Sequence, residues 1–137
     1  TYHAKRKYDL IISNPPYYIN SLLPASFNKQ LSRHDHSLKY SELCFSIYRN
    51  LNSNGSFWLI LPKSNYDSFS QEATNNDLYC NNIIEISDKL NKPASLMISS
   101  WSFSPTTLEI QKFFLKNPDN SFSEIYIKAT KNFYINF

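Results

Sequence analysis

Two consecutive prolines, Pro15 and Pro16, stand directly after Tyr8-Asp9-Leu10-Ile11-Ile12-Ser13, a run with the apolar character of a buried parallel strand. Proline fixes its own φ and offers no backbone N–H, so neither a helix nor a central strand can continue through the pair. The chain is therefore expected to leave a sheet at Asn14 through a stiff, extended corner, Asn14-Pro15-Pro16-Tyr17. In open α/β sheets the carboxyl ends of the strands are where ligands bind.

A rigid corner holds the Asn14 carboxamide, the Pro15 carbonyl and the Tyr17 ring in fixed relation. Two adjacent acceptors can take both hydrogens of one planar exocyclic amino group, and a neighbouring ring can stack on the base that carries it. The pattern suits an adenine turned out of its stack. As bare letters it is also a plain Asn-Pro turn with an exposed aromatic, but the preceding strand supplies the context the functional reading needs.

Asp9 to Tyr17 resembles the D-x-x-x-x-N-P-P-Y signature of class I S-adenosylmethionine-dependent methyltransferases that act on nitrogen. That signature serves adenine-N6 enzymes on DNA and RNA and a glutamine methyltransferase of release factors. The resemblance implies S-adenosylmethionine as cofactor and a catalytic corner of Asn14, Pro15, Pro16 and Tyr17. Asn14 would also face the cofactor, and Tyr18 would line the substrate pocket. Asp9 is expected at an edge or turn.

Residues 18–38 show no convincing periodicity and are expected to form a loop over the substrate. Within them, Leu31-Ser32-Arg33-His34-Asp35-His36-Ser37-Leu38 begins a stretch that resembles the A-R-H-x-x-x-L-x-Y-x-E-L segment of bacterial tRNA adenine-N6-methyltransferases modifying the adenine beside the anticodon of valine tRNA. Arg33, His34, Leu38, Tyr40, Glu42 and Leu43 match, and Ser32 replaces the usual alanine. The implied substrate contacts are Arg33 on a phosphate and His34 on phosphate or ribose. The alternative is a solvated arginine and a histidine that orders its own loop. His34 and His36 lack further convergent ligands, so no metal is expected. The ending Tyr126 to Tyr134 is similar to the family's Y-x-x-L-T-x-D-F-Y, with Ala129 and Asn132 departing from it.

The rest reads as alternating elements. Tyr40, Leu43, Cys44, Ile47 and Leu51 form a helical stripe, with Ser37 or Ser41 as cap and Asn54-Gly55 as stop. Ser56 to Leu61 is a strand, and the two strands with their crossover predict a right-handed parallel unit. Ser64 with Asp67 suggests a capping pattern for a second helix, with Tyr66, Phe69 and Ala73 on its inner face and its end near Asn75-Asn76. Asn82 to Ser87 and Ala94 to Phe103 predict an antiparallel pair, Leu108 to Leu115 an edge strand, and Ser123 a helix start for a tail that docks on the sheet through Phe122, Tyr126, Ala129 and Phe133. Trp101 is expected in the core, while Lys63, Lys89, Lys92, Lys128 and Lys131 are either RNA contacts or solvated.

A chain of 137 residues with 16% aromatic and 42% hydrophobic residues has enough apolar mass for one folded domain and is not a disordered class. The +3 formal charge permits a tRNA partner without marking an autonomous nucleic-acid binder. Cys44 and Cys80 read as reduced packing thiols, no apolar run reaches the roughly 18 residues of a membrane span, and a cytoplasmic location is expected. The single glycine, Gly55, cannot supply the Gly-rich turn that a class I methyltransferase places upstream of its Asn-Pro-Pro-Tyr corner. Residues 1–137 are thus expected to be one partial domain, the carboxyl-terminal half of a Rossmann-like sheet with parallel strands and an antiparallel final hairpin. Such a half exposes a sheet edge through which it can self-associate. The competing functions are methylation of a protein glutamine and a non-enzymatic RNA-binding half-domain.

Overall fold

The computed structural model describes residues 6–15 and 31–133, with side chains described for 6–15 and 40–133. In chain order the elements are β1 (Tyr8–Ser13), α1 (Leu31–Asn50), β2 (Leu51–Pro62), α2 (Lys63–Asn75), β3 (Tyr79–Lys89), β4 (Leu96–Ser102), β5 (Glu109–Lys116) and α3 (Glu124–Thr130). The five strands form one sheet in the order β1-β2-β4-β3-β5. β1 runs parallel to β2 and β3 parallel to β5, while β4 is antiparallel to both β2 and β3. The expected α/β sheet of parallel strands with an antiparallel pair is observed, but the pair is not final: β4 is inserted between β2 and β3, and the last strand, β5, runs parallel to β3.

The helical stripe packs as its spacing predicts at Tyr40, Cys44 and Ile47, which are buried with Leu43 partly buried against them; Leu51, expected as its last position, is buried as the first residue of β2 instead. The ends of α1 differ from expectation. It begins at Leu31, so residues 31–38 are helix rather than loop, and Ser37 and Ser41 lie inside it rather than capping it. It stops at Asn50 without a glycine, because the Asn50 amide donates to the Ser46 carbonyl at 2.7 Å and Leu51 passes straight into β2. Asn54-Gly55 is therefore not a helix stop. It belongs to the irregular start of β2, where four residues stand opposite Asp9 and the register jumps from Tyr8↔Leu51 to Leu10↔Ser56. A Cβ on Gly55 would lie 3.0 Å from the Tyr8 carbonyl oxygen and 2.8 Å from Leu51, which is why this position has no side chain.

α2 also needs no side-chain cap. Pro62 is extended, and the Lys63 N–H donates to the Ser95 carbonyl at 2.9 Å. The Ser64 hydroxyl donates to Asn65 instead of capping, so the expected Ser64–Asp67 pattern does not form. At the far end Asp77 takes a positive φ of 57°, and the Leu78 N–H returns to the Ala73 carbonyl while its side chain enters the core.

The core is an aromatic junction between α1, α2 and the sheet. Phe69 of α2 meets Tyr40 edge-on at 5.6 Å, Trp101 edge-on at 5.3 Å and Phe57 at 6.2 Å between centroids. Trp101 buries its ring and donates its indole N–H to the Ser99 hydroxyl at 2.8 Å, so its one polar atom is satisfied. α1 and α2 pack together on one face of the sheet. On the other face lie Leu10, Ile12, Trp58, Ile60 and Ile98, which share a side through the cross-strand register. Ile12 is 73% exposed and Leu10 53%, so β1 is not the buried strand its composition suggests. Among the described residues it has β2 as a neighbour and no strand beyond.

The tail helix starts where expected, with the Ser123 hydroxyl accepting from the Tyr126 N–H and donating to the Phe114 carbonyl. It lies against β5 with Ser123 fully buried, Tyr126 and Ile127 half-buried and Ala129 exposed. Phe122 and Phe133 remain exposed rather than forming a buried face.

Phe69→Ala is expected to cost about 3–5 kcal/mol in urea denaturation, because a buried ring touching three others leaves a cavity that cannot close. Burial pushes the Cys44 thiol up to about 12 and raises Cys80 and the Tyr66 phenol as well. These groups keep their protons in the folded state after the unfolded chain has lost them, so their contribution is intact below about pH 9 and is lost as pH rises further. The urea midpoint is expected to fall as pH is raised from about 9 to about 11, and Cys44 to resist thiol reagents at about pH 8 until the protein unfolds.

Candidate functional site

Four strands point the same way and β4 opposes them, so one edge of the sheet collects the carboxyl ends of β1, β2, β3 and β5 with the start of β4. The Asn14-Pro15 corner lies on that edge, directly after Ser13, with Asn14 exposed and Pro15 half-buried. Pro16, Tyr17 and Tyr18 lie outside the described residues. α1 ends at the amino-terminal start of β2 and its 20 residues span about 30 Å, so its first turn reaches back to the same edge as Asn14. That turn carries Arg33 and His34, whose side chains are outside those described.

Asp9, the first letter of the strand motif, does not join the corner. Its carboxylate accepts from the Asn52 amide and pins the irregular start of β2 to β1. Five residues of extended chain separate it from Asn14, about 16 Å. Asp9 is a structural clasp.

The same edge is held together by Ser95. Its N–H donates to the Ile86 carbonyl at 2.8 Å and its carbonyl accepts from the Lys63 N–H, tying the end of β3, the start of β4 and the start of α2. Around this tie lie the lysines. Lys63 pairs with Glu85 at 3.8 Å, Lys116 with Asp88 at 3.5 Å, and the Lys89 ammonium donates to the Pro118 carbonyl at 3.2 Å. Lys63, Lys92 and Lys112 line one pocket with Glu85, Leu90 and Phe114. Sequence reading singled out Lys63, Lys89 and Lys92 but missed Lys112, whose only signal was its position on β5 opposite Glu85. Trp101 is core, as expected.

Among the described residues no three His, Cys, Asp or Glu side chains converge as a metal site would require, and no helix is long and apolar enough to cross a membrane.

Sheet order, strand directions and the helices on one face define the class: a Rossmann-like α/β sheet of mostly parallel strands with one antiparallel strand, a fold shared with solved methyltransferases. A solved structure, a predicted O-methyltransferase from Agrobacterium tumefaciens, superposes with a TM-score of 0.61 over 91% of this chain and 51% of that one, at 12% sequence identity. In sequence the chain is 31% identical over 129 residues to the tRNA1(Val) (adenine(37)-N6)-methyltransferase of Bacteroides fragilis, and 31% identical over 135 residues to the protein of the same name from Actinobacillus pleuropneumoniae serotype 7. These alignments take in 94% and 98% of this chain but 54% and 57% of those proteins, so the chain spans about half the length of the curated relatives it matches. No protein-family model matches it.

Proposed function

We propose that this chain carries the acceptor-side half of an S-adenosylmethionine-dependent methyltransferase acting on the exocyclic N6 of an adenine in tRNA. The observation that carries the reading is the Asn14-Pro15 corner at the carboxyl end of a parallel strand, in a chain whose relatives bear that activity in their names.

The fit to the cofactor is one-sided. The corner offers an exposed carboxamide where a reacting centre can approach, but the one glycine, Gly55, lies at the opposite end of the sheet beside Tyr8. In this reading a Gly-rich cradle belongs to the part of the relatives' length that this chain does not span. The cofactor, when bound, supplies an electrophilic methyl group. The chain's task is to present the nitrogen: Asn14 and the Pro15 carbonyl accept its two hydrogens and aim its lone pair, Pro16 fixes the turn, and Tyr17 stacks the extruded base with Tyr18 alongside. Arg33 and His34, in the first turn of α1, hold the backbone of the RNA. The nitrogen becomes acidic as it is alkylated and releases its proton to water, so positioning supplies most of the rate. The protein works in the cytoplasm, on tRNA.

The test is transfer of radiolabelled methyl to total tRNA by the protein and its Asn14→Ala variant. N6-methyladenine is expected with the wild type, and a loss of about 100-fold or more in the variant, the scale of removing a positioned polar contact at a reacting centre. Label on a release-factor glutamine, with none on tRNA, would reassign the acceptor.

The outer edge of β1, with Leu10 and Ile12 exposed beside it, offers a template for strand pairing. Residues 1–137 alone are expected to sediment as dimers or larger species, and a monodisperse monomer would count against this.

A further inference from the structure

Beside the start of α2, between β3, β5 and the turn that joins β3 to β4, lies a pocket of about 180 Å³. Its lining residues include three lysines, Lys63, Lys92 and Lys112, together with Leu90 and Phe114. One carboxylate faces them. Glu85 pairs with Lys63 at 3.8 Å, near the outer limit of an ion pair, and is in register with Lys112 on β5, so all three project from neighbouring positions. Three cations against one anion leave a positive excess that the chain itself does not neutralise there.

The lysines are held in place by the backbone that carries them. Lys63 is the first residue of α2 and its N–H is bound by Ser95. Lys92 rides on a turn closed by its own N–H to the Lys89 carbonyl at 3.0 Å and by Ser95 to Ile86. Lys112 is fixed by the β3–β5 ladder. Little loop entropy remains to be lost when an anion arrives.

We infer that this pocket binds one nucleotide of the RNA outside the target base, its phosphate on the lysines and its sugar and base on Leu90 and Phe114. The inference rests on the tRNA reading above. β1 and β3 are three strand positions apart, roughly 15 Å at the usual strand spacing, so the Asn14 corner and this pocket hold different nucleotides of one substrate. A phosphate contact of this kind sets register along the RNA and reads no sequence.

The experiment is a fluorescence-anisotropy titration of the protein with labelled valine tRNA across a salt series. The combined variant Lys63→Gln, Lys92→Gln, Lys112→Gln is expected to bind about tenfold more weakly or worse, with the slope of log affinity against log salt reduced by about two to three. Glu85→Gln is expected to act in the opposite direction and tighten binding, a readout that a merely structural ion pair would not give. Circular dichroism confirms that both variants fold. A folded triple variant with wild-type affinity and salt slope overturns the inference alone. A wild-type protein that binds no tRNA overturns it together with the reading it rests on. Adenosine monophosphate bound by the pocket, with tRNA affinity unmoved by the triple variant, assigns the site to a free nucleotide and overturns it as well.

Discussion

The structure turns on the ring of Phe69. Among the described residues it is the one side chain that touches an aromatic partner from each of α1, β2 and β4, through Tyr40, Phe57 and Trp101. Both helices sit on one face of the sheet, so this junction is where the helical layer is locked to the strands. Edge-on contacts between quadrupoles add roughly 0.5–1.5 kcal/mol each to the burial of the rings. Against a net stability of about 5–15 kcal/mol for a domain, one such hub carries a large share. Around it the polar atoms are paired: the Trp101 indole with Ser99, and the Tyr40 hydroxyl with the Asn65 amide at 3.3 Å.

Strand polarity decides what this core can support. Had β3 followed β2 as its direct neighbour, the sheet would be purely parallel. The chain instead folds β4 back between them, so β2 and β3 both present their carboxyl ends to one side. The turn that makes this possible is closed by Ser95, which also supplies the acceptor for the first N–H of α2. One residue thus replaces both a turn glycine and a helix cap. The edge that gathers the carboxyl ends of β2 and β3 with the starts of β4 and α2 is a consequence of that tie.

What was legible in the sequence were features with a local cause. An apolar run marked β1, a 3.6-residue stripe marked Tyr40 to Ile47 for burial, and Ser123 announced its helix through its own hydroxyl. What was not legible depended on partners far along the chain. The start of α2 needed no capping side chain because Ser95, more than thirty residues later, binds it. Gly55 looked like a helix stop, yet its lack of a side chain answers the Tyr8 carbonyl of a distant strand. β1 has buried-strand composition and an exposed face, since composition records what a strand is suited to pack against and not what lies on it. Lys112 was overlooked because a lysine in an edge strand is ordinarily a solvated guard against pairing. Only the β3–β5 register sets it opposite Glu85.

Core and edge are joined by α2. Lys63 opens this helix and Phe69 lies six residues on, about 9 Å along the axis, so the packing of the ring positions the backbone from which Lys63 projects. Asn14 stands on the other side of this edge. It hangs from β1, which is held by its ladder to β2 and by the Asp9–Asn52 clasp at the far end. Loosening the aromatic junction should therefore disturb the Lys63–Glu85 side of the edge before the β1 side. The two halves of the edge are separable because one is anchored by a packed ring and the other by a hydrogen-bonded strand.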